Sequence, residues 1–371
     1  MRRQLKILVG LLAVLAAAPA VGGSGEWVTL YAPPFQGPDA LGQSVATILN
    51  LQLLDQMRVP DAKISHGPDT VGVVVWGRPL ERYSHEDAEA RAKEMALLAQ
   101  LVFWGKVYEF GDGAIAQTNL SIPRYKDFRE THPERWELQF HLPDGELKLA
   151  TDIPQRRYSF RPIVLTEDVI KRYSKPDSIE IHAKNIEGPV IGHIGDEFTL
   201  LGIKDDLAEV TSGKVRGWIR LPTLSARHSE AVNFSSGLVR VLRGDWTGAT
   251  RLLEPIAKDE GSPNELRTDA YLYVGLAAEK QERAGRDYFA AALALSPDAR
   301  RCVMYAVFGE LAELSRQMTS GASAAARGAT LERAQRLLDS NKMLFLPTDP
   351  WLMSVFLGMQ RLAHNQRLAD R

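Results

Sequence analysis

Apolar and polar positions divide the chain into a strand-and-helix stretch, a strand-rich stretch and a helical stretch. Residues 27–32 read as a short strand stopped by Pro33 and Pro34. Pro38 and Asp39 open a helix whose apolar residues Leu41, Val45, Ile48, Leu49, Leu53 and Met57 recur at helical spacing. Residues 71–76 form a continuous apolar run, as in a strand covered on both faces. Ser84 and Asp87 make a capping-box-like start to a helix that buries Ala88, Ala92, Met95, Ala96 and Ala99. Residues 101–110 are the next strand, and Gly111, Asp112 and Gly113 turn it into residues 114–122. Trp136, Leu138, Phe140 and Leu142 alternate with polar residues. Pro143, Asp144 and Gly145 then turn this strand into residues 146–150, a second hairpin.

From residue 178 the texture changes. Short strands and frequent glycines over 178–224 predict a small barrel. Residues 228–368 are helical, with a Ser-, Ala- and Gly-rich loop at 320–328. Asp349 and Pro350 cap a last helix whose stripe of Leu352, Val355, Phe356, Met359 and Leu362 suits the closing cover of a helical stack.

Three stretches resemble known families. Residues 97–107 read Leu-Leu-Ala-Gln-Leu-Val-Phe-Trp-Gly-Lys-Val, and residues 27–123 thereby resemble the α/β domain of the TolB amino-terminal and CsgG-type families. That resemblance implies an assembly or docking unit of the cell envelope. The string from Val190 to Gly202, closed by Gly217-Trp218-Ile219, resembles a bacterial SH3-like domain over about 178–224. That family's usual tryptophan before Leu207 is absent here, so an aromatic peptide groove is not implied. Gly237, Gly244-Asp245-Trp246, Ala249, Leu253 and Ile256 resemble one tetratricopeptide repeat. Tyr271, Gly275, Ala277, Phe289 and Ala292, closing on Pro297, resemble a second. Residues 306–314 and 330–338 extend the tetratricopeptide-like region to about 228–342.

The amino terminus changes the compartment. Arg2, Arg3 and Lys6 precede an apolar run over 7–18 and a small-x-small site at Ala18-Pro19-Ala20. This is the layout of a cleaved secretory signal peptide, and the run is too short to span a bilayer. Export to the periplasm or beyond follows as an expectation, with no stable membrane anchor after cleavage. The formal net charge of −1 supplies no basic field for nucleic acid. Cys302 is the single cysteine, so an intramolecular disulfide and a multi-cysteine metal cluster are both excluded. Its apolar neighbours predict a buried thiol.

Chemical motifs are sparse. There is no Walker loop, G-x-S-x-G or H-E-x-x-H motif. Gly111 to Ala116 fits G-x-G-x-x-A, but a strand follows where a dinucleotide site needs a helix. The eight histidines show no i, i+2 or i, i+4 pair; His182 and His193 are the two that a barrel could bring together. Arg156, Arg157, Tyr158 and Arg161 read as a solvated strand edge, with an anion site as the alternative. Trp76 and Trp104 read as core. Tyr271 and Tyr273 lie on the first helix of a repeat, the helix that lines a concave face, and are the candidate partner-binding residues; only one of the two can face inward.

Together these features predict a multidomain α+β protein: signal peptide 1–23, α/β domain 24–173, SH3-like barrel 178–224 and helical-repeat domain 228–371. The predicted role is a non-enzymatic periplasmic scaffold or adaptor, without metal or cofactor, that binds a protein partner on its repeats. The SH3-like resemblance implies an added contact with peptidoglycan or a peptide. One alternative is a structural subunit of an envelope secretion machine, assembled through the α/β domain. The other is an enzyme of unfamiliar type with its site in that domain.

Overall fold

The computed structural model describes residues 28, 30–57, 63–64, 73–75, 79–94, 100–123, 137–142, 145–150, 155–173, 179–194, 198–222, 229–297 and 299–345, with side chains at 137–150 left aside. The signal peptide, Trp76, Trp136, the helix end at 95–99 and the helix expected after Asp349 lie outside these residues.

The first sheet has strand order β3-β1-β4-β5-β8. Its members are β1 (Leu30–Ala32), β3 (Val73–Val75), β4 (Leu101–Phe110), β5 (Gly113–Ile122) and β8 (Arg156–Ser159); β9 (Ile163–Leu165) also pairs with β5. Strand β1 runs parallel to both β3 and β4, and helices α1 (Asp39–Met57) and α2 (His85–Glu94) make the crossovers. β4 and β5 form the expected hairpin, with Phe110 opposite Gly113 and Gly111 at φ 58° in the turn. That positive φ is open to glycine without strain. The expected second hairpin, β6 (Glu137–Leu142) and β7 (Gly145–Ala150), also forms, with Leu142 opposite Gly145.

Strands β10 (Glu180–His182), β11 (Val190–His193), β12 (Phe198–Lys204), β13 (Leu207–Ser212) and β14 (Val215–Arg220) follow a short helix, α3 (Glu167–Arg172). They do not close into a barrel. Their sheet is open, in the order β11-β10-β14-β13-β12-β2. The difference is at the β12 edge. The two-residue strand β2 (Lys63–Ile64), which comes from the first α/β stretch, pairs there with Phe198 and Thr199. Two residues at the start of that edge are therefore already hydrogen-bonded to a strand from outside the five.

The carboxy-terminal region is an antiparallel array of three helical pairs: α4 (Glu230–Leu242) with α5 (Trp246–Lys258), α6 (Asn264–Lys280) with α7 (Arg286–Leu295), and α8 (Arg300–Thr319) with α9 (Ala324–Asn341). The turn between α4 and α5 uses Gly244 at φ 73° and Asp245, whose carboxylate accepts the Gly248 N–H at 2.9 Å. The pairs pack closely through two glycines. A Cβ at Gly237 would come within 2.6 Å of Leu253, and one at Gly275 within 2.4 Å of the Phe289 ring.

One buried cluster runs from Val28 to Val274 and joins the first sheet, the open sheet and helices α4 to α6. The three stretches thus share a core. Helix α1 lies on α4, where Arg240 donates to the Gln56 carbonyl at 2.9 and 2.7 Å. A cation there satisfies an otherwise orphaned carbonyl at the negative end of α1. Gln52 of α1 also bonds the Pro222 carbonyl, tying the open sheet's exit to the same helix. No helix among the described residues is long and apolar enough to cross a membrane.

Candidate partner-docking surface

The two faces of the helical array differ. The first helix of each pair faces the chain's own α/β layer. Phe234 of α4 meets Tyr158 edge-on, ring centroids 4.8 Å apart, with Phe160 at 6.0 Å. The Tyr158 hydroxyl donates to Asp269 of α6 at 2.6 Å, and Arg301 of α8 donates to the same carboxylate at 2.8 Å. Arg156 stands 3.3 Å from it. Farther along, the Arg161 guanidinium sits 2.7 Å from Glu230 and 2.7 Å from Asp259, and Ser262 bonds the buried Glu230.

Strand β8 is the outer strand of its sheet and Arg157 on it is exposed, as the solvated-edge reading expected, but Tyr158 is buried and Arg156 and Arg161 are only partly exposed. These last three form a polar seam across the core, and the carboxylates of Asp269, Glu230 and Asp259 take the place of any outside anion. Burial and the Asp269 charge push the Tyr158 hydroxyl well above its ordinary pKa. Burial opposes the charge on Arg301, but Tyr273 and Asp269 around it outweigh that and hold it well above its usual value. Arg301 also lies over the Tyr273 ring, 5.1 Å from its centroid.

This seam decides the candidate tyrosines. Tyr273 is only 1% exposed and burial raises its pKa, so it does not present a binding surface. Tyr271 is half-buried and packs at the junction of the two helical cores. The face on which the sequence placed them is filled by the chain's own strand β8. Cys302, beside Arg301, is buried as expected, and burial pushes its thiol up to about 11.

The remaining sequence candidates are dispersed. His182 bonds the Gly188 carbonyl at 2.9 Å, while His193 pairs in register with Glu180. Among the described residues no group of three or more His, Cys, Asp or Glu could hold a metal ion. In the α/β layer, the Ser121 hydroxyl lies 2.8 Å from His85 Nδ1, and burial with the nearby Arg157 lowers the His85 pKa. Ser121 has no exposed surface and also accepts the Trp104 indole N–H at 2.9 Å. A substrate cannot reach that hydroxyl, so the pair orients Trp104 within the core.

The other side of the array is open. Helices α7, α8 and α9 enclose a groove of about 540 Å³. Its walls carry Ala290, Leu293 and Leu337, and Ala306 lies in its floor. Arg286, Arg333 and Arg336 stand around it with Glu310 as the one acid among the lining residues. Sequence reasoning missed this groove because it looked to the first helices of the repeats, whereas most lining residues come from the second helices. A smaller concavity of about 440 Å³ lies between α3 and the open sheet, beside Arg172, Tyr173, His182 and Arg220. No known protein family, curated protein or solved structure matches the chain.

Proposed function

We propose that the protein is an exported, non-enzymatic adaptor of the cell envelope that holds a protein partner in the groove between α7, α8 and α9. One observation carries this: the inner face of the helical array is filled by the chain's own strand, while the outer groove is open, apolar at its centre and ringed by cations. Apolar area exposed in a concave site supplies binding energy without a reactive centre. A rigid helical array also holds the groove in shape before a partner arrives, which lowers the ordering cost of association. The amino-terminal layout of positive residues, apolar run and small-x-small site supports export. The SH3-like resemblance of 178–224 supports a second contact, with peptidoglycan or a peptide, at the open sheet.

The experiment is site-specific photo-crosslinking in the native cell. A photoreactive residue in place of Leu337 gives a discrete adduct with another protein, and one at exposed Glu260, in the turn after α5, does not. Equal, diffuse labelling from both positions rejects the groove as a docking site. Cell fractionation in the same strain tests export.

A second reading, an assembly subunit, has its own observation. Tyr108, Ile115 and Val164 stand in register across β4, β5 and β9. Tyr108 is 53% exposed, Val164 44% and the neighbouring Phe110 62%, an uncovered apolar row at one end of the sheet. Light scattering of the purified chain tests it: a multimer that Tyr108→Lys with Phe110→Lys dissolves supports assembly through this row, and a monomer rejects it.

A further inference from the structure

We infer that the segment the groove takes is an acidic amphipathic peptide, with carboxylates flanking a short apolar row; this rests on the docking role proposed above. The charge balance at the groove carries the inference. Three arginines face one glutamate. Glu310 is largely buried and receives Arg333 at 3.0 Å, so its charge is already matched. Arg286 stands 4.0 Å from Glu310 and 3.5 Å from exposed Asp287. Arg336 is 70% exposed, and its guanidinium is 4.0 Å from Glu332, beyond hydrogen-bond reach. Two guanidinium forks are thus positioned on opposite walls to take carboxylates from outside, a geometry that favours paired N–H···O contacts.

The apolar part sets the rest of the chemistry. Leu293 on α7 and Leu337 on α9 face the groove above Ala306. Each wall runs over eight residues, from Arg286 to Leu293 and from Arg333 to Ser340, or roughly 10 Å at the helical rise. That length accepts about two turns of a helix presenting an i, i+3/i+4, i+7 row. The chain's own residues 346–371 fit poorly on charge, since Arg361, Arg367 and Arg371 outnumber Asp349 and Asp370.

The test uses the full chain and two fluorescent probe peptides of equal length and identical Leu/Ala pattern, one bearing Glu at its polar positions and the other Lys. Anisotropy titration shows saturable binding of the Glu probe, weakened by added salt, and none of the Lys probe. Arg336→Glu lowers the Glu-probe affinity roughly tenfold, as one lost charge contact of ordinary size would. It shifts the thermal midpoint by less than about 1 °C, because Arg336 is exposed and its only nearby acid, the i, i+4 neighbour Glu332, is equally solvated at 4.0 Å. Equal binding of both probes, or Glu-probe binding indifferent to Arg336→Glu, overturns the inference. So does displacement of the Glu probe by a peptide of residues 346–371. The adduct formed at Leu337 separates the two claims: sequencing that finds a neutral or basic captured segment sinks the acidic partner and leaves docking intact, whereas no adduct together with no probe binding sinks both.

Discussion

Asp269→Asn is the sharpest probe of how the α/β layer is fastened to the helices. The Asp269 side chain is 2% exposed and accepts hydrogen bonds from Tyr158 at 2.6 Å and Arg301 at 2.8 Å. The substitution keeps the shape and removes the carboxylate charge that faces Arg301, itself only 17% exposed. Breaking a buried pair in this way costs about 3–5 kcal/mol. The Arg156 contact is more exposed, at 35%, so solvent screens it and it adds little. With an unfolding entropy of about 2.1 cal/mol/K per residue over 371 residues, the loss lowers the thermal midpoint by roughly 4–6 °C. Calorimetry on the wild type and the variant measures it. Tyr158→Phe, which removes one hydrogen bond to a charged group, costs less, about 1.5–3 kcal/mol. In a double-mutant cycle Asp269→Asn and Arg301→Met couple by more than about 1 kcal/mol. An Asp269→Asn variant within about 1 kcal/mol of wild type, or additive losses in the cycle, would refute the seam as the fastening.

Three further outcomes follow from other contacts. Gly275→Ala pushes a methyl group to within 2.4 Å of the buried Phe289 ring and destabilises the array by about 1–3 kcal/mol in urea unfolding, because a close-packed ring cannot retreat. Arg240→Met removes both donors to the Gln56 carbonyl while keeping most of the side-chain volume; it costs about 1.5–3 kcal/mol, and hydrogen exchange quickens at the carboxy-terminal end of α1. Stability also falls in alkali. Burial raises Cys302 to about 11 and Tyr83 to about 12, and it raises Tyr158 and Tyr273 as well. The folded chain then holds protons that the unfolded chain has released. The stabilisation is complete below the unfolded pKa values and is lost as pH rises through the folded ones. Urea midpoints therefore drop from about pH 9 upward, and Cys302→Ala makes the fall between 9 and 11 shallower; an unaltered slope would show that the thiol titrates alike in both states.

Much of the local structure was legible in the sequence because it depends on near neighbours. The Gly111-Asp112-Gly113 turn predicted the β4–β5 hairpin, and the small residues Gly237 and Gly275 marked the close helix contacts. What the sequence hid depends on distant partners. Strand β2 is two residues long, with no pattern of its own, yet it pairs with Phe198 and Thr199 and adds a sixth strand to the second sheet. Tyr158 and Asp269 are 111 positions apart, so nothing local separated buried Tyr158 from its exposed neighbour Arg157. Tyr271 and Tyr273 were both candidates for a concave repeat face, and no local signal says which one turns inward or that β8 packs over Tyr273. The outer groove was invisible for a related reason: its residues are ordinary alanines, leucines and arginines of three helices, and only their packing makes a site.

The most direct measurement is thiol labelling of the native chain, since the account depends on a filled inner face and an open outer one. Cys302, beside the seam, is 1% exposed and its thiol is held neutral, so an Ellman-type reagent leaves it unmodified until the protein unfolds. In Ala294→Cys, the added thiol on the groove wall reacts at the rate of a free thiol. Rapid modification of Cys302 in the folded protein, with protection at position 294, would contradict the account.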